Sequence, residues 1–395
     1  FNSEATNIRV GIESDEIIVS SFSENERFEV EKFLLEQGCA QRQMLDVLKP
    51  GTTDLPMRRI CSKVNNKIIG FASWDLPSKF SMVANAYLYV DDENPAADNI
   101  SDNYIAAMAR DMPTLRVTRI DLTVNSVSNT ATSIALERGF RKIDNGHNKI
   151  LSRIIFPGPI FHSNWQQFRC EYEKLTGFTL QNKMPTYEEF KNTGITAFSS
   201  TSNEKYYIRL FDFETLHSPC VIICPNRIGM IIPIREAYAK ELFSSVGRQN
   251  DLFPSKEAML RVEKSYFRKP TAVSKFKRGM PIVFYVSGKN RGPMEAVGSA
   301  RITFSAEMEP SDIELNLSRQ GVLSAEELKS MVNIDNKVHA ITFDNLNIFK
   351  NRLEFSKLKE MGCVSGANLV TAESIAFDKL NAIFEMGYGQ VKNRV

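Results

Sequence analysis

Long apolar runs are missing from this chain. No stretch is long enough to cross a bilayer, and no charged-then-apolar leader opens the sequence. The expectation is a cytoplasmic protein without a membrane partner. Histidine is scarce, with four in 395 residues, and the six cysteines (Cys39, Cys61, Cys170, Cys220, Cys224, Cys363) follow no framework spacing. Cys220 and Cys224 in PCVIICP are close, but no second pair or histidine cluster completes a tetrahedral site with them. No metal is therefore expected, and the thiols read as reduced and buried, as in a reducing compartment. Internal repeats, heptad runs and low-complexity tracts are also missing, which removes solenoid and coiled-coil architectures.

What is present is an ordinary globular composition, 43% hydrophobic and 24% charged with a net charge of +2. That balance neither demands nor excludes nucleic acid. The length implies two or three domains. The first part alternates strands and helices. EIIVSSF, the hairpin RRICSKV–KIIGFASW across Asn65-Asn66, SMVANAYLYV, LRVTRIDLTV and KILSRIIF read as strands. NERFEVEKFLLEQG, DNYIAAMARDM and SNTATSIALERG, closed by Gly139, read as helices. FPGPIFH marks a boundary. Beyond it KYYIRLFDFETL and PCVIICP read as strands, and SNWQQFRCEYEKLTG and TYEEFKNTG as helices. From Arg227 short strands dominate, as in a small barrel. The expected organisation is an α/β (α+β) domain over residues 1–156, a connector over 157–225, and a β-barrel domain with helices over 226–395.

LTVNSVSNTATSIALERGF resembles the GNAT family of N-acetyltransferases, with Ser128, Ala131, Ile134 and Gly139-Phe140 at the family's offsets. The resemblance spans roughly residues 8 to 156 and implies a mixed sheet with flanking helices. It also implies acetyl-CoA as cofactor. Leu88, Tyr89 and Val90 would offer backbone to the pantetheine arm. Asn99, Ile100 and Ser101 fall at the diphosphate loop, and Asn125 and Ser128 would steady the pantetheine. The sequence departs from the family in VDDENPAADNIS, Val90 to Ser101. From Asp91 to Asp102 there are five acids, no base and no glycine. Carboxylates oppose a diphosphate at a helix start, and DNIS reads equally as a capping turn. The tyrosine that often serves as general acid is replaced by Ala135. Asp121 and Asp91 are the candidate bases, with Asp92 and Glu137 as further carboxylates and His147 in an exposed turn.

MIIPIREAYAKELF resembles the opening of the ASCH and EVE domains, which belong to the PUA-like superfold, over about Arg227 to Gly387. An insertion falls at Arg248 to Arg261. Arg235 and Tyr238 stand at that family's recognition positions. Phe267 to Pro281 holds Arg268, Lys269, Lys275, Lys277 and Arg278 without an acid, with Tyr266, Phe267 and Phe276 interleaved. Clustered cations neutralise phosphates and aromatic faces stack on bases, so RNA or a modified nucleotide is the expected partner. Lys289 and Arg291 would extend the patch. Two functions follow. One is an acyl-CoA-dependent N-acetyltransferase directed to RNA, tRNA or a modified nucleotide. The other is a binding or sensor protein on a degenerate acetyltransferase scaffold, of the kind found in toxin or defence systems.

Overall fold

The computed structural model describes residues 8–10, 15–52, 56–76, 83–111, 119–125, 128–143, 150–154, 160–199, 204–243, 263–271, 273–287, 293–317 and 325–389. His147, the segment 248–261, and Lys289 with Arg291 lie outside the described residues. The chain divides into two compact units. The first takes the described residues of Phe1–Pro157 with Leu216–Ser218. The second takes those of Gly158–Thr215, Pro219–Phe243 and Glu263–Val395. Most of the segment expected as a connector therefore folds within the second unit.

Among its described residues the first unit has eight strands: β1 (Ile8–Val10), β2 (Asp15–Ser21), β3 (Met57–Val64), β4 (Lys67–Asp75), β5 (Val83–Val90), β6 (Arg119–Val124), β7 (Arg141–Ile143) and β8 (Ile150–Ile154). They are ordered β1-β2-β3-β4-β5-β6-β8-β7. The β3–β4 hairpin turns on Asn65 and Asn66, both at positive φ, as a two-residue turn of this hand requires. Every neighbouring pair is antiparallel except β5 and β6, which run parallel from Val83↔Arg119 to Leu88↔Val124. Among the described residues four helices cover the sheet: α1 (Arg27–Glu36), α2 (Gln41–Val47), α3 (Ala97–Asp111) and α4 (Thr130–Glu137). Alternation on β5 sorts the core. Ala84, Ala86, Leu88 and Val90 join the cluster with α3 and α4, while Tyr87 and Tyr89 face that of α1 and α2. The single tryptophan of this unit, Trp74, is fully buried and donates Nε1–H to Asp111 at 3.0 Å.

In the second unit β9 (Ile160–Phe161) pairs with β13 (Ile222–Ile223), and β10 (Phe178–Leu180), β11 (Ile195–Ser199) and β12 (Lys205–Ile208) form a small antiparallel sheet. The main sheet contains β14 (Gly229–Ile234), β15 (Lys264–Arg268), β16 (Pro281–Val286), β17 (Glu295–Met308), β18 (Val338–Glu354) and β19 (Glu373–Ile375). Its order is β15-β18-β17-β16-β14-β19, and only β14 and β16 are parallel. Helices α5 (Trp165–Thr176), α6 (Tyr187–Asn192), α7 (Leu210–Leu216), α8 (Glu236–Phe243), α9 (Pro310–Asn316), α10 (Ala325–Ser330), α11 (Phe355–Glu360) and α12 (Phe377–Tyr388) accompany the strands. KYYIRLFDFETL, expected as one strand, splits at Arg209 into β12 and α7, because Leu210, Phe213 and Glu214 repeat at helical spacing on a buried face. The long strands β17 and β18 bend at three register shifts. Bulges of this kind let a sheet curl. The curl brings β15 against β14 although three strands separate them in the order, and Tyr266 Oη donates to the Pro233 carbonyl at 3.0 Å.

A buried ion network braces this unit. Glu214 accepts from Arg227 Nη1 at 2.5 Å and from Arg301 Nη1 at 3.4 Å, and Asp344 takes Arg301 Nε at 2.9 Å. Burial works against both guanidinium charges. Glu214, and for Arg301 chiefly Asp344, outweigh it and hold both pKa values above the usual one. The tryptophan of this unit, Trp165, is buried and donates to the Gln181 carbonyl at 3.3 Å. Cys39, Cys61, Cys220, Cys224 and Cys363 are buried free thiols, and Cys170 is free and exposed. Among the described residues no helix is long and apolar enough to cross a membrane.

Candidate functional site

In the first unit the cofactor candidates converge where β5 and β6 end. Leu88, Tyr89 and Val90 are fully buried. The backbone they would offer to a pantetheine already has partners. Asn125 N–H donates to the Leu88 carbonyl at 3.3 Å, and Asn125 Nδ2 donates to the Val90 carbonyl at 3.3 Å. Asn125 is itself buried and also donates to Gln37 Oε1 at 3.1 Å.

The loop after β5 satisfies itself. Asp91 Oδ1 accepts from Glu93 N and the Asp91 carbonyl from Asn94 N, each at 3.1 Å. Asn94 takes Ala96 N on its side chain and Ala97 N on its carbonyl, both at 2.9 Å, and so caps α3. Helix α3 therefore begins at Ala97, and Asn99, Ile100 and Ser101 lie in its first turns instead of in a loop or a cap. Ile100 packs over Gly70, where a Cβ would meet its methyl at 2.8 Å, and Ser101 is fully buried.

Asp92 turns away from α3 toward the start of α4. Its carboxylate accepts from the Ser128 hydroxyl, from Asn129 N at 2.8 Å and from Thr130 N at 3.3 Å. Ser128 Oγ accepts in turn from Ala131 N at 3.1 Å. A carboxylate here has the sign that a helix start favours. Asp102 makes a two-pronged pair with Arg138, at 2.6 and 2.7 Å, tying α3 to α4. Asp92 thus caps α4 and Asp102 braces α3 against it. Of the candidate bases, Asp91 is 3.7 Å from Lys67 Nζ. Asp121 holds Arg119 at 2.8 Å and Ser152 Oγ at 2.9 Å. A carboxylate that no sequence motif marks, Asp75, is buried at the end of β4 beside Asn85, and burial raises its pKa.

In the second unit the candidates gather where β15 meets β14. Arg235 stands at the junction of β14 and α8, with its guanidinium 5.8 Å from the Tyr238 ring centroid. Tyr238 Oη donates to Glu327 Oε1 at 2.8 Å. Tyr266 and Arg268 project from the same side of β15, two residues apart, and the charges of Arg268 and Arg235 both act on the Tyr266 hydroxyl. Arg268 is half-buried and lies 5.3 Å from the centroid of Phe276, with a hydrogen bond to Thr271 Oγ1. Burial lowers its pKa, and among the described residues no carboxylate pairs with it. His339, opposite Arg268 in register, is buried with Nε2 2.8 Å from Ser305 Oγ, and its ring packs on Phe276 at 5.0 Å. Its pKa falls to about 4, through burial and then the charge of Arg268. Tyr266 enters the cluster through sheet closure, and His339 through strand register. Tyr266 is marked in the sequence only as an aromatic beside the basic run, and His339 carries no local sequence signal.

The remaining basic candidates are exposed. Lys269, Lys275 and Lys277 have no ion-pair partner among the described residues. Arg278 lies on the Phe211 ring at 4.1 Å, and Arg301 lies on the same ring at 3.9 Å.

A family model described as "Domain of unknown function (DUF365)" matches residues 253–369. No curated protein matches the chain. Among solved structures, the ASCH protein of Zymomonas mobilis is similar at 12% identity with a TM-score of 0.30, covering 39% of this chain and 92% of that one. The PaiA N-acetyltransferase of Thermoplasma acidophilum, solved with coenzyme A, is similar at 13% identity and a TM-score of 0.28, over 35% of this chain and 99% of that one. A GNAT-family acetyltransferase of Staphylococcus aureus is similar at 16% identity and a TM-score of 0.27, over 35% and 98%.

Proposed function

We propose that the chain is a nucleotide-binding or RNA-binding protein whose second unit takes an anionic ligand between Arg235 and Arg268. On this reading the first unit is an acetyltransferase-like scaffold that does not hold acetyl-CoA in that family's manner. The observation that carries it is Arg268. A half-buried guanidinium without a carboxylate keeps part of its desolvation cost uncompensated until an anion arrives. Phosphate suits it, because guanidinium and phosphate oxygens pair two to two. The half-buried rings of Tyr238 and Tyr266 beside the two arginines offer faces to a base. The first unit supports the same reading from the other side. Asp92 and Asn125 occupy the donor and carbonyl groups that a coenzyme would use.

The test is fluorescence anisotropy of the full chain with labelled RNA, competed by free nucleotides. Arg268→Gln and Arg235→Gln should each weaken binding by about tenfold or more, and each should flatten the salt dependence by about one counterion. Unchanged affinity in both variants, or no binding to any RNA or nucleotide, sinks the proposal.

A second reading keeps the transferase, on one observation. The parallel pair β5–β6 ends level at Leu88 and Val124 between α3 and α4, the arrangement that the family resemblance implies. Asp121 or Asp91 would then serve as base. Calorimetry with acetyl-CoA, on the native chain and on Asp98→Arg, separates the two. Micromolar binding by the native chain favours the transferase.

A further inference from the structure

The sheet β10-β11-β12 belongs to neither candidate site, and it leaves one face open. Buried Ile195, Ala197 and Ser199 put Thr196 and Phe198 on the outer side of β11. Register sets Lys205 across from Phe198 and Tyr207 across from Thr196, with Thr179 of β10 on the other flank of Phe198. Phe198 is 37% exposed and Tyr207 62%. Lys205 Nζ lies 5.1 Å from the Phe198 ring centroid. The exposed Arg209 continues the alternation of Lys205 and Tyr207, and β12 is an edge strand among the described residues.

We propose that this outer face is a stacking platform for single-stranded RNA. The proposal rests on reading the chain as an RNA-binding protein and adds a surface away from the barrel strands. Two flat rings stand open beside two cations, and the outward positions carry no acid. Two acids flank the face, each held by a hydroxyl, and Glu173 sits at its rim on the outward-facing Thr179. The Glu204 carboxylate accepts the Tyr206 hydroxyl, and Glu173 takes the Thr179 hydroxyl at 2.7 Å. An aromatic face stacks on any base, and neighbouring cations follow the phosphates. Protein interfaces are depleted in lysine, so Lys205 on the Phe198 ring suits a phosphate-bearing strand better than a protein partner.

The experiment uses the full chain and a fluorescein-labelled single-stranded oligo(U) dodecamer. Anisotropy is combined with ultraviolet crosslinking and peptide mapping. Phe198→Ala and Tyr207→Ala should each weaken binding about tenfold, and Lys205→Gln several-fold. Crosslinks should fall on the peptide spanning residues 195–208, and they should persist in Arg268→Gln. Both rings are exposed, so circular dichroism should report native folding in these variants. Affinity unchanged in the Phe198→Ala, Tyr207→Ala double variant, or crosslinks confined to other peptides, overturns the platform. If Arg268→Gln alone abolishes binding, the barrel reading stands and the platform fails. If the chain ignores the dodecamer and self-associates in sedimentation until Tyr207→Ala disperses it, the face serves a protein contact instead.

Discussion

The Asp92 carboxylate accepts the hydroxyl of Ser128, 36 residues along the chain, and with it closes the start of α4. The same carboxylate takes the N–H groups of Asn129 and Thr130. The chain thus supplies its own anion at a place where the family resemblance implies a coenzyme contact. Asp92→Ala should cost about 1 kcal/mol, the usual worth of a helix cap, measured by urea unfolding of the full chain. A variant as stable as the native chain would show that the contact braces nothing.

Glu214 lies between Arg227 and Arg301 with no exposed surface. Glu214→Gln keeps the shape and removes the charge that compensates two buried guanidiniums. The expected loss is about 3–5 kcal/mol, since breaking a buried pair strands a charge. A loss below about 1 kcal/mol, read from the same denaturant curves, is incompatible with this network.

Gly139 ends α4 at φ +88°, and a Cβ there would overlap the Leu216 carbonyl oxygen. Gly139→Ala meets both a left-handed backbone and a fixed backbone atom. It should destabilise the first unit by more than about 2 kcal/mol, beyond the roughly 1 kcal/mol of conformation alone. Thermal unfolding monitored through Trp74 checks this, and a neutral result would mean that the two segments are not in contact.

The His339 ring has a folded pKa of about 4 against an ordinary 6.5. Between these values the unfolded chain binds more protons at this ring than the folded one, so stability rises with pH across that window. The contribution of the neutral ring is complete above about pH 6.5 and is lost as pH falls toward 4. His217, whose pKa burial lowers to about 3, acts in the same direction in the first unit. His339→Gln should therefore flatten, without abolishing, the acid limb between pH 4 and 6.5. The slope removed is at most about 1.4 kcal/mol per pH unit, one proton's worth. An unaltered acid limb would mean that the ring titrates normally.

What the sequence disclosed was local. Asn65-Asn66 announced a hairpin because few residues adopt positive φ twice in succession, and Gly139 announced a helix end for the same reason. The apolar alternation of SMVANAYLYV marked a strand, and its neighbours marked the helices on either side. The resemblance singled out Arg235 and Tyr238, and the basic run singled out Arg268. Nothing in the sequence said that the charges of Arg235 and Arg268 would both reach the Tyr266 hydroxyl. The acids after β5 were legible as a departure from the family, but their partners were not. Asp92 meets Ser128 and Asp102 meets Arg138 only once β6 has brought α4 beside α3. No spacing within twelve residues carries that information. Tyr266 likewise reads as one more aromatic until bulges in β17 and β18 curl the sheet onto Pro233. The run KYYIRLFDFETL misled because aromatic residues suit a strand and a buried helix face equally, and only Glu214, drawn inward by two arginines, decides for the helix.

The two tryptophans are divided between the units, Trp74 on Asp111 in one and Trp165 on Gln181 in the other. Nature has in effect installed one optical reporter per half of the molecule. Trp74→Phe leaves emission from Trp165 alone, and Trp165→Phe leaves emission from Trp74 alone. With that pair of proteins, a melting curve or a ligand titration can be assigned to the unit in which it happens, without separating the units.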